Sequence, residues 1–226
     1  MPITLDQLSG RYPFLYHMAE GGSLPQILRH GLLSTTAILD LCNVEGIERY
    51  ALEANVRKEM CVVHHPDHGS FTLRDQKPLS VGKLVGCLRD GLTPEDWLRL
   101  INRKAFFWAG REKVEQLLRA RAYREREHLV LKINTRTLVT AHEDRVTLAA
   151  MNTGSTSPMA HPRGRDTMLS LARFPYEERL RKRLRPVVEV CIDYSVPDLG
   201  AHIASVYLGS SELGLLDQHY VVRAGR

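Results

Sequence analysis

The sequence predicts an α+β domain in which mixed or antiparallel sheets carry inserted helices. Three observations predict it. Strand-like runs dominate the second half of the chain, while helical spacing dominates the middle. No regular strand–helix alternation runs along it, as a doubly wound parallel sheet demands. At 226 residues, with 43% hydrophobic and 25% charged residues, the chain can bury a core as one domain with insertions.

In chain order, residues 12–17 are apolar and aromatic and read as a first strand, followed by a turn at 18–22. A short helix follows, with Ser23 as N-cap, Gln26 closing a capping box, Pro25 in the first turn and Gly31 just past the end. Residues 32–35 read as extended. Residues 36–60 carry apolar residues at helical spacing, broken near 43–46, and 61–64 and 70–74 read as strands around a turn at 65–69. Residues 81–88 read as helical, and Thr93 starts a further helix with Pro94 at its first position and Glu95 and Asp96 in its first turn. Residues 105–109 form an aromatic strand, turned by Gly110 and Arg111 into a helix from Glu112 to about Ala122. Residues 128–134 alternate as a strand should, and 145–149 are a further strand. A long irregular stretch, 151–166, is rich in Ser, Thr, Gly, Pro, Arg and His, and loops of that length in a compact domain are often functional. Residues 174–184 read as a basic helix, with Arg179, Arg181, Lys182, Arg183 and Arg185 in and beside it.

The strand that follows organises the rest. Val187, Val188, Val190 and Ile192 lie between Pro186 and Pro197, and alternation places Val188, Val190 and Ile192 on one face. The other face carries Val187, Glu189, Cys191 and Asp193, so a carboxylate stands mid-strand between apolar neighbours. A charge there is exposed on an edge strand, paired, or functional. A last strand is read at 202–208.

Several classes of function are excluded. The chain has no apolar run of the roughly 18 residues a membrane span needs and no basic-then-apolar start, so a cytoplasmic protein without membrane attachment is expected. Four scattered cysteines suit reduced thiols, not a zinc site or a disulfide framework. His64, His65 and His68 with Asp67 read as a solvated turn, since Pro66 keeps His64 and His68 off one helix face; no metal is expected. Neither a glycine-rich dinucleotide fingerprint, a phosphate-binding loop nor a nucleophile elbow occurs. The net charge of +5, from 31 basic and 26 acidic residues, leans mildly toward a polyanionic partner.

Three stretches carry a resemblance. Leu15-Tyr-His-Met18, a turn, then Leu24-Pro-Gln-Ile-Leu-Arg-His-Gly-Leu-Leu-Ser34 resembles the opening strand and helix of ADP-ribosyltransferases. It is most similar to the DarT-type enzymes that modify DNA and to the related RNA 2′-phosphotransferases. Phe106-Phe-Trp-Ala-Gly-Arg111 resembles the aromatic strand and following Arg of the DarT-type enzymes. Val188-Glu-Val-Cys-Ile192, followed by Val196-Pro197, resembles their strand bearing the catalytic Glu. The three occur in the family's order and span most of the chain. Residues 36–104 depart from the pattern and look like a bacterial family of unknown function.

The resemblance implies one ADP-ribosyltransferase-like domain over 1–226, with a mostly helical insertion at about 36–104. It implies NAD as substrate and a nucleic-acid acceptor, DNA or RNA, in a bacterial toxin or defence effector with an antitoxin or immunity partner. It gives catalytic roles to Glu189, on the 2′-hydroxyl of the nicotinamide ribose, to His17, on a ribose, and to Arg111, on the diphosphate or an acidic substrate. Tyr16, Met18, Ser34, Phe106, Phe107 and Trp108 would complete the NAD site, with the aromatics stacking on nicotinamide. Asn152, Arg163 and Arg165, in the loop before the Glu strand, would meet the acceptor. Each has a plain structural alternative: a hydrogen-bonded histidine at a strand end, a surface arginine, a core aromatic strand. A protein acceptor, or a non-catalytic module binding nucleic acid or ADP-ribose, are the alternative functions.

Overall fold

The computed structural model describes residues 2–121, 123–184, 186–210 and 214–216. The chain runs α1 (Leu5–Arg11), β1 (Phe14–Glu20), α2 (Leu24–His30), β2 (Leu32–Leu33), α3 (Thr35–Leu41), α4 (Gly46–Glu53), β3 (Cys61–His65) and β4 (Gly69–Leu73). It continues with α5 (Val81–Val85), α6 (Pro94–Asn102), β5 (Lys104–Trp108), α7 (Arg111–Leu118), β6 (His128–Asn134), α8 (Thr135–His142), β7 (Val146–Ala149) and β8 (Met168–Leu169). It ends with α9 (Tyr176–Arg181), β9 (Glu189–Asp193), β10 (Ser195–Val196), β11 (Ile203–Ser210) and β12 (Gly214–Leu216).

The architecture is α+β around one large antiparallel sheet, ordered β12-β11-β6-β1-β5-β9-β7-β8. Two small pairs, β10 with β2 and β3 with β4, stand beside it. One face of the sheet carries Leu15, Phe107, Leu131, Ile133, Val190 and Ile192, which pack under α1, α8 and the 171–176 segment. The opposite face is covered in two halves. Helix α7 packs Val114 and Leu118 onto Tyr16, Met18, Val130 and Tyr207. Helix α6 packs Trp97, Leu98 and Ile101 with Ala149, Met168 and Cys191. The strip of sheet between these helices is left for a cleft.

Register explains where that cleft opens. Strands β1 and β6 pair over seven residues and β5 and β9 over five, but β1 and β5 meet only at Tyr16 opposite Trp108. Beyond that pair the two central strands diverge. The His17 ring fills the gap, with Nδ1 2.8 Å from the Phe106 carbonyl, so a side chain stands in for a ladder hydrogen bond.

Several boundaries differ from the sequence reading. Ser23 does not cap α2: it ends a short 3-10 turn with helical backbone, and its hydroxyl makes no capping bond. Gly31 does end that helix, at φ 75°, with its Cα against the Val196 carbonyl and Pro197, where any side chain would collide. Helices α1 and α8 are additions to that reading, although Thr4 and Gln7 form a capping box on the first and Asn134 caps the second. Helix α7 includes Arg111 and ends at Leu118, short of Ala122, which lies outside the described residues, as does Arg185 of the basic segment. Residues 36–104 form four helices, α3 to α6, and one hairpin, β3–β4. Buried Arg57 binds this region together, donating to the carbonyls of Leu52 and Arg74 and, at 3.1 Å, to the Asn102 side chain. No helix among the described residues is long and apolar enough to cross a membrane.

Candidate active site

Strand β9 is not an edge strand. It lies between β5 and β7, and Glu189 at its start is 3% exposed, which removes the reading of a solvated edge carboxylate. Register sets Tyr16, Trp108, Glu189 and Ala149 in one row across four strands. With neighbouring strands about 4.8 Å apart, the Tyr16 and Glu189 backbones stand about 10 Å apart. His17 follows Tyr16 directly, so alternation turns its side chain away from the Tyr16–Glu189 row. It lines the same cavity as Glu189 through the gap between β1 and β5.

The place is a cavity of about 250 Å³. Its floor is Met18, Lys104, Phe106, Trp108 and Glu189, and His17 stands at its edge. Its walls are Leu117 of α7, Ile101 and Asn102 of α6, the 74–76 segment and the 152–154 loop. A second cavity of about 440 Å³ adjoins it. The two share His17, Met18, Thr35, Arg57, Arg74, Lys104 and Phe106 as walls, so together they form one bipartite cleft.

Glu189 is held by one oxygen. Oε2 accepts from the Thr153 hydroxyl at 2.7 Å and from the Thr153 N–H at 3.1 Å. Oε1 has no hydrogen-bond partner among the described residues. Burial pushes the carboxyl up to about 7, against the opposing pull of the two Thr153 bonds and the charge of Arg163. His17 is pushed the other way. Burial takes its pKa down to about 4, opposed by the bond to the Phe106 carbonyl and reinforced by Arg74. The ring is therefore neutral at pH 7, and because a carbonyl can only accept, Nδ1 carries the proton. Nε2 is left as an acceptor.

Of the residues singled out from sequence, His17, Met18, Phe106, Trp108, Asn152 and Glu189 come together in the smaller cavity. Ser34 lines the larger one and caps α3, accepting from the Ala37 N–H at 3.1 Å. Phe107 lies on the opposite face, fully buried, with its ring centroid 6.0 Å from that of His17. Core packing is the role this gives it. Tyr16 and Arg111 line a separate cavity of about 660 Å³ by α7, and Arg111 pairs with Glu115 at 2.8 Å.

The two loop arginines part company. Arg163 is 1% exposed and donates to the carbonyls of Thr153 at 3.1 Å, Ser155 at 2.9 Å and His161 at 3.2 Å, with its guanidinium over Trp97. It braces the loop that holds Glu189 and has no surface to offer an acceptor. Arg165 is exposed, with its N–H tied to Asp90.

Among the cleft residues not singled out from sequence are Thr153, Arg74, Lys104 and Asn102. Lys104 is buried and paired with Asp193, directly opposite it in the β5–β9 ladder. Only the alternation that marks Glu189 and Asp193 as one face pointed toward such a partner.

His142, Asp198 and His202 form the one group of metal-ligand type found among the described residues. Its donor set does not fit a metal. Arg145 donates to Nδ1 of His142 at 2.6 Å, so Nε2 carries the proton and gives it to Asp198 at 2.7 Å. His202 joins the same carboxylate at 3.2 Å and Thr137 at 3.0 Å. The group is a hydrogen-bonded bracket between α8 and the 199–202 turn.

Fold and site thus define an α+β protein with a buried-carboxylate cleft. Residues 13–203 match DUF7002, a family of unknown function. The match covers most of the chain, which therefore belongs to that family. No curated protein matches it.

Proposed function

We propose that this chain is a NAD-dependent ADP-ribosyltransferase, with a domain of that fold type, acting on a nucleic acid. One observation carries the reading: a buried carboxylate with one oxygen pinned by Thr153 and the other unengaged, sharing a cavity with a neutral histidine and two aromatic side chains. The residues suit the dinucleotide. Phe106 and Trp108 offer ring surfaces for nicotinamide. Glu189 Oε1 is an acceptor for a ribose hydroxyl, and His17 Nε2 is another. The adjoining larger cavity has room for the adenosine half.

The chemistry follows from charge. As the bond from ribose C1′ to nicotinamide breaks, positive charge gathers on the ribose, as in glycoside hydrolysis. A fixed carboxylate in a site with little water stabilises that charge more in the transition state than in the ground state. The acceptor's nucleophilic atom bonds to C1′ as nicotinamide leaves with the bonding pair, and its proton passes to water. A cytoplasmic setting and an antitoxin partner belong to the same reading.

Radiolabelled NAD tests it. The purified chain should release nicotinamide, and label incubated with cell extract should become nuclease-sensitive. Glu189→Gln should slow NAD consumption by two to four decades, about 3–5 kcal/mol, with the fold intact. Label sensitive only to protease moves the acceptor to protein. NAD bound but never consumed leaves a binding module.

A further inference from the structure

We infer that Arg74 is the anion-binding residue of the cleft, holding a diphosphate that joins two nucleosides lodged in the adjoining cavities. The inference deepens the reading above and rests on it for the identity of the dinucleotide.

The other cations near the cleft are engaged. Arg57 donates to two carbonyls and to the side chains of Thr35 and Asn102. Lys104 is neutralised by Asp193. Arg163 is wrapped in loop carbonyls. Arg111, to which the family resemblance assigns the diphosphate, lies at another cavity and pairs with Glu115.

Arg74 differs from all of them. Like Arg57 and Lys104 it lines both cavities where they meet, but those two are buried and Arg74, just past β4, is only half-buried. Its Nη1 donates to the Met18 carbonyl at 3.1 Å, one residue beyond His17. Its guanidinium lies over the Tyr123 ring at 4.7 Å, and that ring is fixed by a hydroxyl bond to Asp75 at 3.1 Å. No carboxylate of the described residues forms an ion pair with it. A guanidinium drawn partly out of water, oriented by a carbonyl and a ring, and reaching the Asp75 carboxylate only through the Tyr123 hydroxyl, can take an anion as its direct partner. Its planar fork matches phosphate oxygens better than a point charge does. The position narrows the anion further. A dinucleotide is two nucleosides joined by a diphosphate, and Arg74 stands on the shared wall of two adjoining nucleoside-sized cavities.

Equilibrium binding of ADP, inorganic pyrophosphate and adenosine to the full chain tests the assignment. Wild type should bind ADP more tightly than adenosine. Arg74→Gln should weaken ADP and pyrophosphate at least tenfold while leaving adenosine unchanged, and Arg74→Lys should recover part of the loss. Equal ADP affinity in wild type and Arg74→Gln overturns the inference, as does a wild type that binds ADP no better than adenosine. A matching loss of adenosine and ADP makes Arg74 a brace of the cleft and overturns it as well. NAD consumption separates the two readings. ADP binding lost in Arg74→Gln, with no NAD consumed by wild type, keeps the diphosphate site and retires the transferase. Consumption indifferent to Arg74→Gln does the reverse.

Discussion

Thr153 and Glu189, 36 residues apart, share one carboxylate oxygen, which accepts from the threonine hydroxyl at 2.7 Å and from its N–H at 3.1 Å. Both bonds favour the charged carboxylate, while burial disfavours it, and the balance stands at about 7. In the proposed transfer the ionised form is the one that would stabilise a cationic ribose, so NAD consumption should rise with pH through about 7. Thr153→Val removes the hydroxyl bond and keeps the N–H. A hydrogen bond to a charged group is worth about 1.5–3 kcal/mol, so the rising limb should move up by about one pH unit or more. Rate–pH profiles of kcat/KM for the two proteins check this; coincident limbs would separate Glu189 ionisation from catalysis.

The same carboxyl links pH to stability. Its pKa is raised in the fold, from an ordinary 4.5 to about 7, so the folded chain holds the proton more tightly than the unfolded one. Unfolding free energy therefore falls as pH rises through that window, by about 3 kcal/mol in all. Glu189→Gln removes the buried charge. It should melt higher than wild type at pH 8, with the gain gone near pH 4.5. Thermal unfolding at the two pH values reads this directly, and a variant less stable at pH 8 would contradict the burial of an ionised group.

His17 carries the opposite sign. With its pKa near 4, it binds a proton less readily folded than unfolded, so its share of stability is present above about 6.5 and is lost as pH falls toward 4. Its ring resonances should not titrate between pH 5 and 8, with Nδ1 protonated throughout. His17→Ala leaves the Phe106 carbonyl without its partner in the β1–β5 gap, a loss of about 1–3 kcal/mol. The same variant should weaken ADP-ribose binding about tenfold or more, measured by calorimetry. A titrating His17 resonance near pH 6.5 would place the ring in water.

Much of this fold was legible because its signals are local. Thr93 and Pro94 do open α6, and the box closes through Asp96, whose carboxylate accepts from the Thr93 N–H at 2.9 Å. Glu189 stood out because a charge between apolar β-branched residues violates the strand's own pattern. Helix α8 was not legible: Thr135, Thr137, Val139 and Thr140 favour strands, and packing of Leu138 and Val139 into the core overrides them. Ser23 had the right neighbours for a cap and the wrong backbone. The gap between β1 and β5 is non-local, so no stretch of sequence announces that His17 fills it. Arg163 misled for a similar reason. A polar loop rich in Arg reads as a surface, but its guanidinium partners are carbonyls of its own loop, which composition does not reveal.

Arg163 and Arg165 share one expected role on the acceptor when read from sequence, yet their surroundings predict different outcomes. Arg163→Ala removes a buried brace from the segment that presents Thr153 to Glu189. It should depress NAD hydrolysis without acceptor as strongly as transfer, and lower the melting temperature. Of the three carbonyls it leaves without a donor, that of Thr153 is buried and those of Ser155 and His161 lie nearer solvent, so a loss of about 1–3 kcal/mol is reasonable. Arg165 is exposed, and Arg165→Ala should leave NAD hydrolysis and melting unchanged. If the acceptor is a nucleic acid, the exposed charge neutralises a phosphate, so transfer to subsaturating DNA or RNA should weaken severalfold. The slope of log affinity against log salt should also flatten by about one unit. Transfer and hydrolysis measured side by side across a salt series check both. Hydrolysis surviving in Arg163→Ala while transfer collapses would return Arg163 to the acceptor and undo its role as a brace. A salt slope identical in wild type and Arg165→Ala would take Arg165 off the acceptor path.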